Sequence, residues 1–340
     1  MDVPPHAPAP PRAIPDPEAP PPPLPRLPVV DAARAAALLA MAAYHTLWDL
    51  GHLRLTPENL AVTPLGHRAA EGIAGTFLLL VGVGLVLMNG RGVRWPPTLL
   101  RLARIAAAAG LVTLGTWIAF PGTYVFFGVL HCIAAASLIG LPFLFLPVPA
   151  VILAAAAVLA APLVVHGALF DAPVLAFLGL GARPVQTNDY VPLFPWFGVV
   201  LAGIALGRLG LPHLHRSRLG AWAPRGRTGR AAVFAGRHSL ALYLVHQPVL
   251  LGLLFGLAQI TGPHPRAGLK AFRADYLAIC TRTGGPPETC RIAARCTSQA
   301  LVREDLFRDD GRPFTLPERA RAQALSRACY AAAEGGAPPP

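Results

Sequence analysis

Five groups of polar residues interrupt an otherwise apolar chain, and their types suit proton transfer and anion stabilisation. His45, Trp48 and Asp49 close one apolar run, and His67, Arg68 and Glu71 open the next. His131 lies inside a later run, Asp189, Tyr190 and Trp196 surround the start of another, and His246-Gln247-Pro248 falls within the last. A neutral imidazole within reach of a hydroxyl or amine acts as a general base, because its ordinary pKa of about 6.5 suits both accepting and returning a proton. Arg68 or a second histidine is the natural stabiliser of an oxyanion. Plainer readings stand beside these. His45 and Trp48 also fit as anchors at headgroup depth, and His131 and His246 as hydrogen-bonding partners between helices. No Gly-x-x-x-x-Gly-Lys, H-E-x-x-H, C-x-x-C-H or Gly-x-Ser-x-Gly is present, so nucleotide hydrolysis, zinc proteolysis, c-type haem and soluble serine hydrolysis find no support. No metal site and no permanently bound cofactor are expected.

The elements that must carry these groups are apolar helices. Of 340 residues, 54% are hydrophobic and 14% charged, and the mean hydropathy is +0.50. That leaves too little polar surface to cover a soluble globule, so the chain reads as an integral membrane protein. Seven runs are each about as long as one crossing requires: residues 29–50, 69–88, 99–120, 124–146, 148–166, 191–209 and 239–260. A shorter run, 169–182, holds Asp171, Pro173 and two glycines and reads as interfacial or re-entrant, so the expected fold is an all-α bundle of seven or eight spans. The net charge of +12 comes mostly from arginines, many of them beside apolar runs, which points to topology rather than to nucleic acid. Arg91, Arg94, Arg101 and Arg104 follow the second run and a further arginine cluster follows the sixth, whereas the opposite loops hold only Arg54, Arg68 and Arg183. Seven spans with the N-terminus in the cytoplasm satisfy this distribution. His131 then lies about 10 Å inside the outer end of the fourth span, and Pro248 frees a carbonyl beside His246 and Gln247 near mid-membrane.

Three domains are expected. Residues 1–28 carry thirteen prolines and form a disordered cytoplasmic tail. Residues 29–262 form the transmembrane domain. Residues 263–340 form a polar, extracytoplasmic helical tail holding four of the five cysteines, Cys280, Cys290, Cys296 and Cys329. An even number of cysteines in an oxidising compartment implies two disulfides, with three pairings open. Two helices are expected there, one over about 287–303 and one opened by the capping-box spacing Thr315-Leu-Pro-Glu318. Cys132, inside a span, reads as a packing residue.

Taken in order, several stretches form a recognisable set: Asp31-Ala-Ala-Arg34, Tyr44-His45-x-x-Trp48-Asp49-Leu50, Thr76-Phe-Leu-Leu-Leu-Val-Gly82, Phe127-Gly-Val-Leu-His131, Asp189-Tyr-Val-Pro-Leu-Phe-Pro-Trp-Phe-Gly198 and Gly236-Arg-His-Ser-Leu-Ala-Leu-Tyr-Leu-Val-His-Gln-Pro248. The set resembles bacterial membrane proteins related to the catalytic domain of heparan-alpha-glucosaminide N-acetyltransferase, over about residues 26–260. The resemblance implies a membrane acyltransferase that uses acetyl-CoA as co-substrate and a sugar-like or envelope acceptor, with a histidine essential to transfer. In that frame His45 is the base or transient acyl acceptor, Asp49 or Glu71 orients it, and His131 and His67 complete the catalytic candidates. Trp48, Arg68, Asp189, Tyr190, Trp196, His246 and Gln247 are the candidates for substrate contact. Arg34, Arg237 and His238 are those for the donor's phosphates. The resemblance places the chain in a bacterial inner membrane, with the lipid bilayer as a partner and homo-oligomerisation left open. Two rival functions remain: a transporter or flippase whose histidines relay protons, and a membrane scaffold that displays the cysteine-bearing tail.

Overall fold

The computed structural model describes Pro25, residues 27–307 and residues 314–335. Most of the expected disordered N-terminal tail lies outside these residues. The described residues are helical, with no strand among them. In chain order the α-helices are α1 (Pro28–His52), α2 (Pro64–Asn89), α3 (Trp95–Ala119), α4 (Val129–Ile139), α5 (Val148–Val164), α6 (Leu193–Arg216), α7 (Arg227–Arg237), α8 (Ser239–Thr261), α9 (Leu269–Arg282), α10 (Pro287–Arg303) and α11 (Leu316–Gly335). Prolines stand at the first positions of α3, α5 and α10, where a missing N–H costs no helical hydrogen bond. Helices α2, α3, α6 and α8 are long and apolar enough to cross a membrane, and α4 and α5 are shorter apolar helices.

The run 124–146 differs most from expectation. Only Val129–Ile139 is α-helical, about 16 Å of rise, and Gly140 and Pro142 divert the chain into a 3₁₀ turn at Pro142–Leu144. The run 169–182 contains two 3₁₀ segments, Ala168–Asp171 and Pro173–Leu178.

The chain forms two compact units. One comprises residues up to Ala37 with Ile73–Ala241, and the other Leu38–Gly72 with the residues from Leu242 onward. In the first unit, α6 packs against α5 and α4, and α3 against α4. Helices α2 and α6 meet through small residues: a Cβ on Gly203 would stand 2.2 Å from the Leu79 carbonyl oxygen, and one on Gly82 would stand 2.2 Å from that of Val200. Small residues let two apolar helices gain dispersion contact at backbone distance where lipid offers no hydrophobic drive. Gly203→Val is therefore expected to lower stability by at least about 1–3 kcal/mol, read as a drop in the thermal midpoint of the lipid-embedded protein. The turn from α2 to α3 is closed by buried Asn89, whose Oδ1 accepts from the Arg94 N–H at 3.0 Å and the Thr98 hydroxyl at 2.9 Å.

In the second unit the tail contains three helices rather than two, because α9 precedes the expected pair. Cys280–Cys290 joins α9 to α10 and Cys296–Cys329 joins α10 to α11. Cys296, Ala300, Leu301, Leu325 and Cys329 form its core, with Phe272 and Phe307 packed against it. The Thr315–Glu318 capping box is formed: the Thr315 N–H donates to Glu318 at 2.9 Å and the Glu318 N–H donates to the Thr315 hydroxyl at 3.4 Å. Lys270 at the start of α9 pairs with Glu58, and the His264 N–H donates to the Arg54 carbonyl at 2.8 Å, so the tail is tied to the α1–α2 connection.

Candidate functional site

Helix geometry sets His45 and Asp49 four residues apart on one face of α1, and the second unit brings that face to His246 and Gln247 of α8. The His45 and His246 ring centroids are 5.1 Å apart. Gln247 Nε2 donates to Asp49 Oδ1 at 2.8 Å. Asp49 is 0% exposed. Three further atoms of this cluster, Asp49 Oδ2, Gln247 Oε1 and His246 Nε2, are buried with no hydrogen-bond partner among the described residues.

The local backbone determines what each of these atoms offers. His246 Nδ1 lies 2.6 Å from the Tyr243 carbonyl, which only accepts, so Nδ1 carries the proton in the neutral ring and Nε2 keeps its lone pair. Gln247 spends its amide on Asp49, which leaves its oxygen as the free end. All three unpartnered atoms are acceptors. Native proteins rarely leave such atoms buried and unmatched, because each costs about 1–3 kcal/mol, so their concentration here makes this cluster the candidate site.

The other sequence candidates of this unit stand outside the cluster. His67, Arg68 and Glu71 are exposed on the first turns of α2, and none hydrogen-bonds to the four cluster residues. Trp48 stacks on His52 at 4.5 Å, and its carbonyl accepts from Asn59 at 3.5 Å. Tyr44 donates to the Ala61 carbonyl at 3.3 Å, folding the α1–α2 connection back onto α1.

His131 belongs to the first unit and has no free nitrogen. Nδ1 accepts the Gly128 N–H at 3.2 Å, so Nε2 carries the proton toward the Thr113 hydroxyl at 3.1 Å, and that hydroxyl donates to the Val125 carbonyl at 2.7 Å. Its bonds join α3 to the start of α4. Asp189 Oδ2 accepts the Val129 N–H at 2.9 Å and so caps α4 from a distant loop. Burial pushes the Asp189 carboxyl up, and the Val129 N–H opposes that. Tyr190 donates to the Ala176 carbonyl at 2.6 Å, and burial raises its phenol. Trp196 is half-buried on α6 beside Gly75.

A cationic group lies in the same unit. Asp31 accepts from Arg34 at 3.0 Å through one oxygen and from Arg237 at 3.3 Å through the other. His238 is exposed, with Nδ1 2.9 Å from the Phe234 carbonyl. Arg101, read in the sequence as a topology residue, reaches the space that Arg34 faces: a Cβ on Gly84 would stand 2.9 Å from Arg34 Nη2 and 3.9 Å from Arg101 Nη2. The available signal was its place inside an apolar run, where an ionisable group is costly.

Residues 26–248 match the family model for the catalytic domain of heparan-alpha-glucosaminide N-acetyltransferase. The chain belongs to this family. No match was found among curated proteins or among solved structures. Family and apolar helices together make it a membrane protein of acetyltransferase-like function. The matched region ends at Pro248, so it includes the whole His45–Asp49–His246–Gln247 cluster, while the disulfide-bonded tail lies beyond it.

Among the described residues no group of three or more His, Cys, Asp or Glu is arranged to hold a metal ion.

Proposed function

We propose that the chain is an acetyltransferase of a bacterial inner membrane that moves an acetyl group from acetyl-CoA to an amine of a sugar or envelope component. The observation that carries this reading is the set of three buried, unpartnered acceptors, Asp49 Oδ2, Gln247 Oε1 and His246 Nε2. A primary ammonium presents three N–H donors and one positive charge, whereas a hydroxyl presents a single donor, so the amine is the better complement. His246 Nε2 takes one proton from the ammonium, and Asp49 offsets the charge. The freed amine attacks the thioester carbonyl, a C–N bond forms as the C–S bond breaks, and the imidazolium returns its proton to the departing thiolate. The amide nitrogen loses its second proton to solvent. Gln247 is a positioning residue for Asp49, and the His45 ring flanks that of His246.

Seven spans, N-terminus cytoplasmic and C-terminus periplasmic, complete the proposal. The arginine-rich loops support this orientation, and so do the two disulfides of the tail, which persist only in an oxidising compartment. The test uses the full chain in lipid with radiolabelled acetyl-CoA, offering glucosamine and glucose in parallel. Transfer to glucosamine with little or none to glucose is expected. Equal transfer to both would return the hydroxyl as acceptor, and no acetyl-CoA turnover with any amine would overturn the acetyltransferase reading.

A further inference from the structure

Helix α7 lies in sequence between α6 and α8, both long and apolar enough to cross a membrane, and the connection 217–238 is too polar to do so. That connection therefore runs along a membrane surface. Residues 190–274 contain no aspartate or glutamate. Arg216, Arg218, Arg225, Arg227 and Arg230 are all exposed, and none makes an ion pair or side-chain hydrogen bond among the described residues. Packing fixes which way α7 faces. Val233 and Gly236 are its buried residues, and a Cβ on Gly236 would collide with the Asp31 carbonyl of α1. Arg237 Nε donates to Asp31 Oδ2 at 3.3 Å, a second hold on the same residue. Arg227, Arg230 and Phe234, spaced i, i+3 and i+7, fall together on the exposed side. Phe234 is 61% exposed, with the His238 ring 4.1 Å from its own.

We propose that the stripe Arg227, Arg230 and Phe234 of α7 is a docking site for the headgroups of anionic phospholipid in the surrounding bilayer. Guanidinium forks match phosphate oxygens, and an apolar ring between them suits the boundary between headgroup and acyl chain. The charge complement is one-sided, because no carboxylate of the connection competes for these arginines. Arg225 extends the cationic edge at the entry to α7, where Pro224 and Trp222 close over Gly229. The proposal rests on α6 and α8 crossing the membrane, and neither on acetyl transfer nor on which surface is cytoplasmic.

The test uses the full chain in nanodiscs of phosphatidylcholine and phosphatidylglycerol, with a bimane label on Ala231→Cys, an exposed position of α7. Cys132 is buried and the other cysteines are in disulfides, so the label is selective. The two lipids, each carrying a doxyl group on its acyl chain, are compared as quenchers at equal mole fraction. Phosphatidylglycerol is expected to quench several-fold more strongly, and the excess to shrink as salt rises. Arg227→Gln/Arg230→Gln is expected to weaken its apparent affinity roughly thirtyfold, about fivefold per arginine. The corresponding Lys pair keeps most of the excess, and Phe234→Ala lowers quenching by both lipids while keeping their ratio. Arg216→Gln/Arg218→Gln takes the same charge from the same connection and is expected to leave most of the excess in place. Equal loss in the two Gln pairs would replace the stripe with a diffuse field and overturn the proposal. Equal quenching by both lipids in the native chain would leave the arginines as topology signals alone, and displacement of phosphatidylglycerol by coenzyme A would give the site to a soluble phosphate. Should the double Gln variant of α7 not fold, Arg227→Gln and Arg230→Gln taken singly decide it.

Discussion

Replacing His246 with Ala is expected to lower acetyl transfer by about 10²- to 10⁴-fold, the usual contribution of a positioned general base. The reason is the setting of the ring: Nδ1 is committed to the Tyr243 carbonyl, and Nε2 is buried with its lone pair unmatched. His131→Ala is expected to behave differently. Both of its nitrogens already have partners, so its removal leaves the Gly128 N–H and the Thr113 hydroxyl short of one bond each. Stability should fall by about 1–3 kcal/mol while transfer by the folded fraction stays near native. Parallel measurement of turnover and thermal midpoint separates the two variants. Full turnover in His246→Ala, or abolished turnover in a stably folded His131→Ala, would reverse the assignment. His45→Ala is expected to fall between them, because its ring borders His246 without bonding to Asp49.

The second large effect concerns the tail. Cys296 and Cys329 are separated by 33 residues in sequence, and their bond crosses the core formed by Ala300, Leu301 and Leu325. Replacing both by Ala is expected to destabilise the tail by roughly 3.5–4 kcal/mol in the chain-entropy account, against roughly 2.5–3 kcal/mol for the shorter Cys280–Cys290 loop. Proteolysis of the tail with increasing temperature measures both. An unchanged melting point in Cys296→Ala/Cys329→Ala would show that α10 and α11 hold together without the crosslink.

Much of this fold is legible in the apolar runs, because helix length and membrane thickness constrain each other. The run 124–146 misleads because hydropathy reports apolarity and not continuity, and the break at Gly140 and Pro142 passes unnoticed inside an apolar sequence. Helix α9 escapes notice because its apolar residues find their partners only when α10 packs against it. The four residues of the acceptor cluster are each visible as polar residues in apolar runs. Their convergence is not, since 198 positions separate Asp49 from Gln247. Proton placement is equally hidden: whether His131 or His246 keeps a free lone pair depends on which backbone group each ring meets, and no spacing encodes that. Arg101 shows the limit of counting arginines for topology, since a residue can satisfy the loop rule and still turn inward toward Arg34.

The cysteines of the tail pair with their nearest successors, Cys280 with Cys290 and Cys296 with Cys329, and of the three arrangements open to four cysteines this is the one without nesting or crossing. In the proposed orientation, with the tail on the oxidising side of the membrane, such a connectivity agrees with the order in which the chain would leave a translocation channel. Cys290 and Cys329 then each emerge after their partners have reached that side, and the first loop can close before the second begins. Oxidation in order of arrival therefore yields the native bonds directly, so maturation of this module calls for an oxidant at the exit and makes no demand on a disulfide-shuffling catalyst.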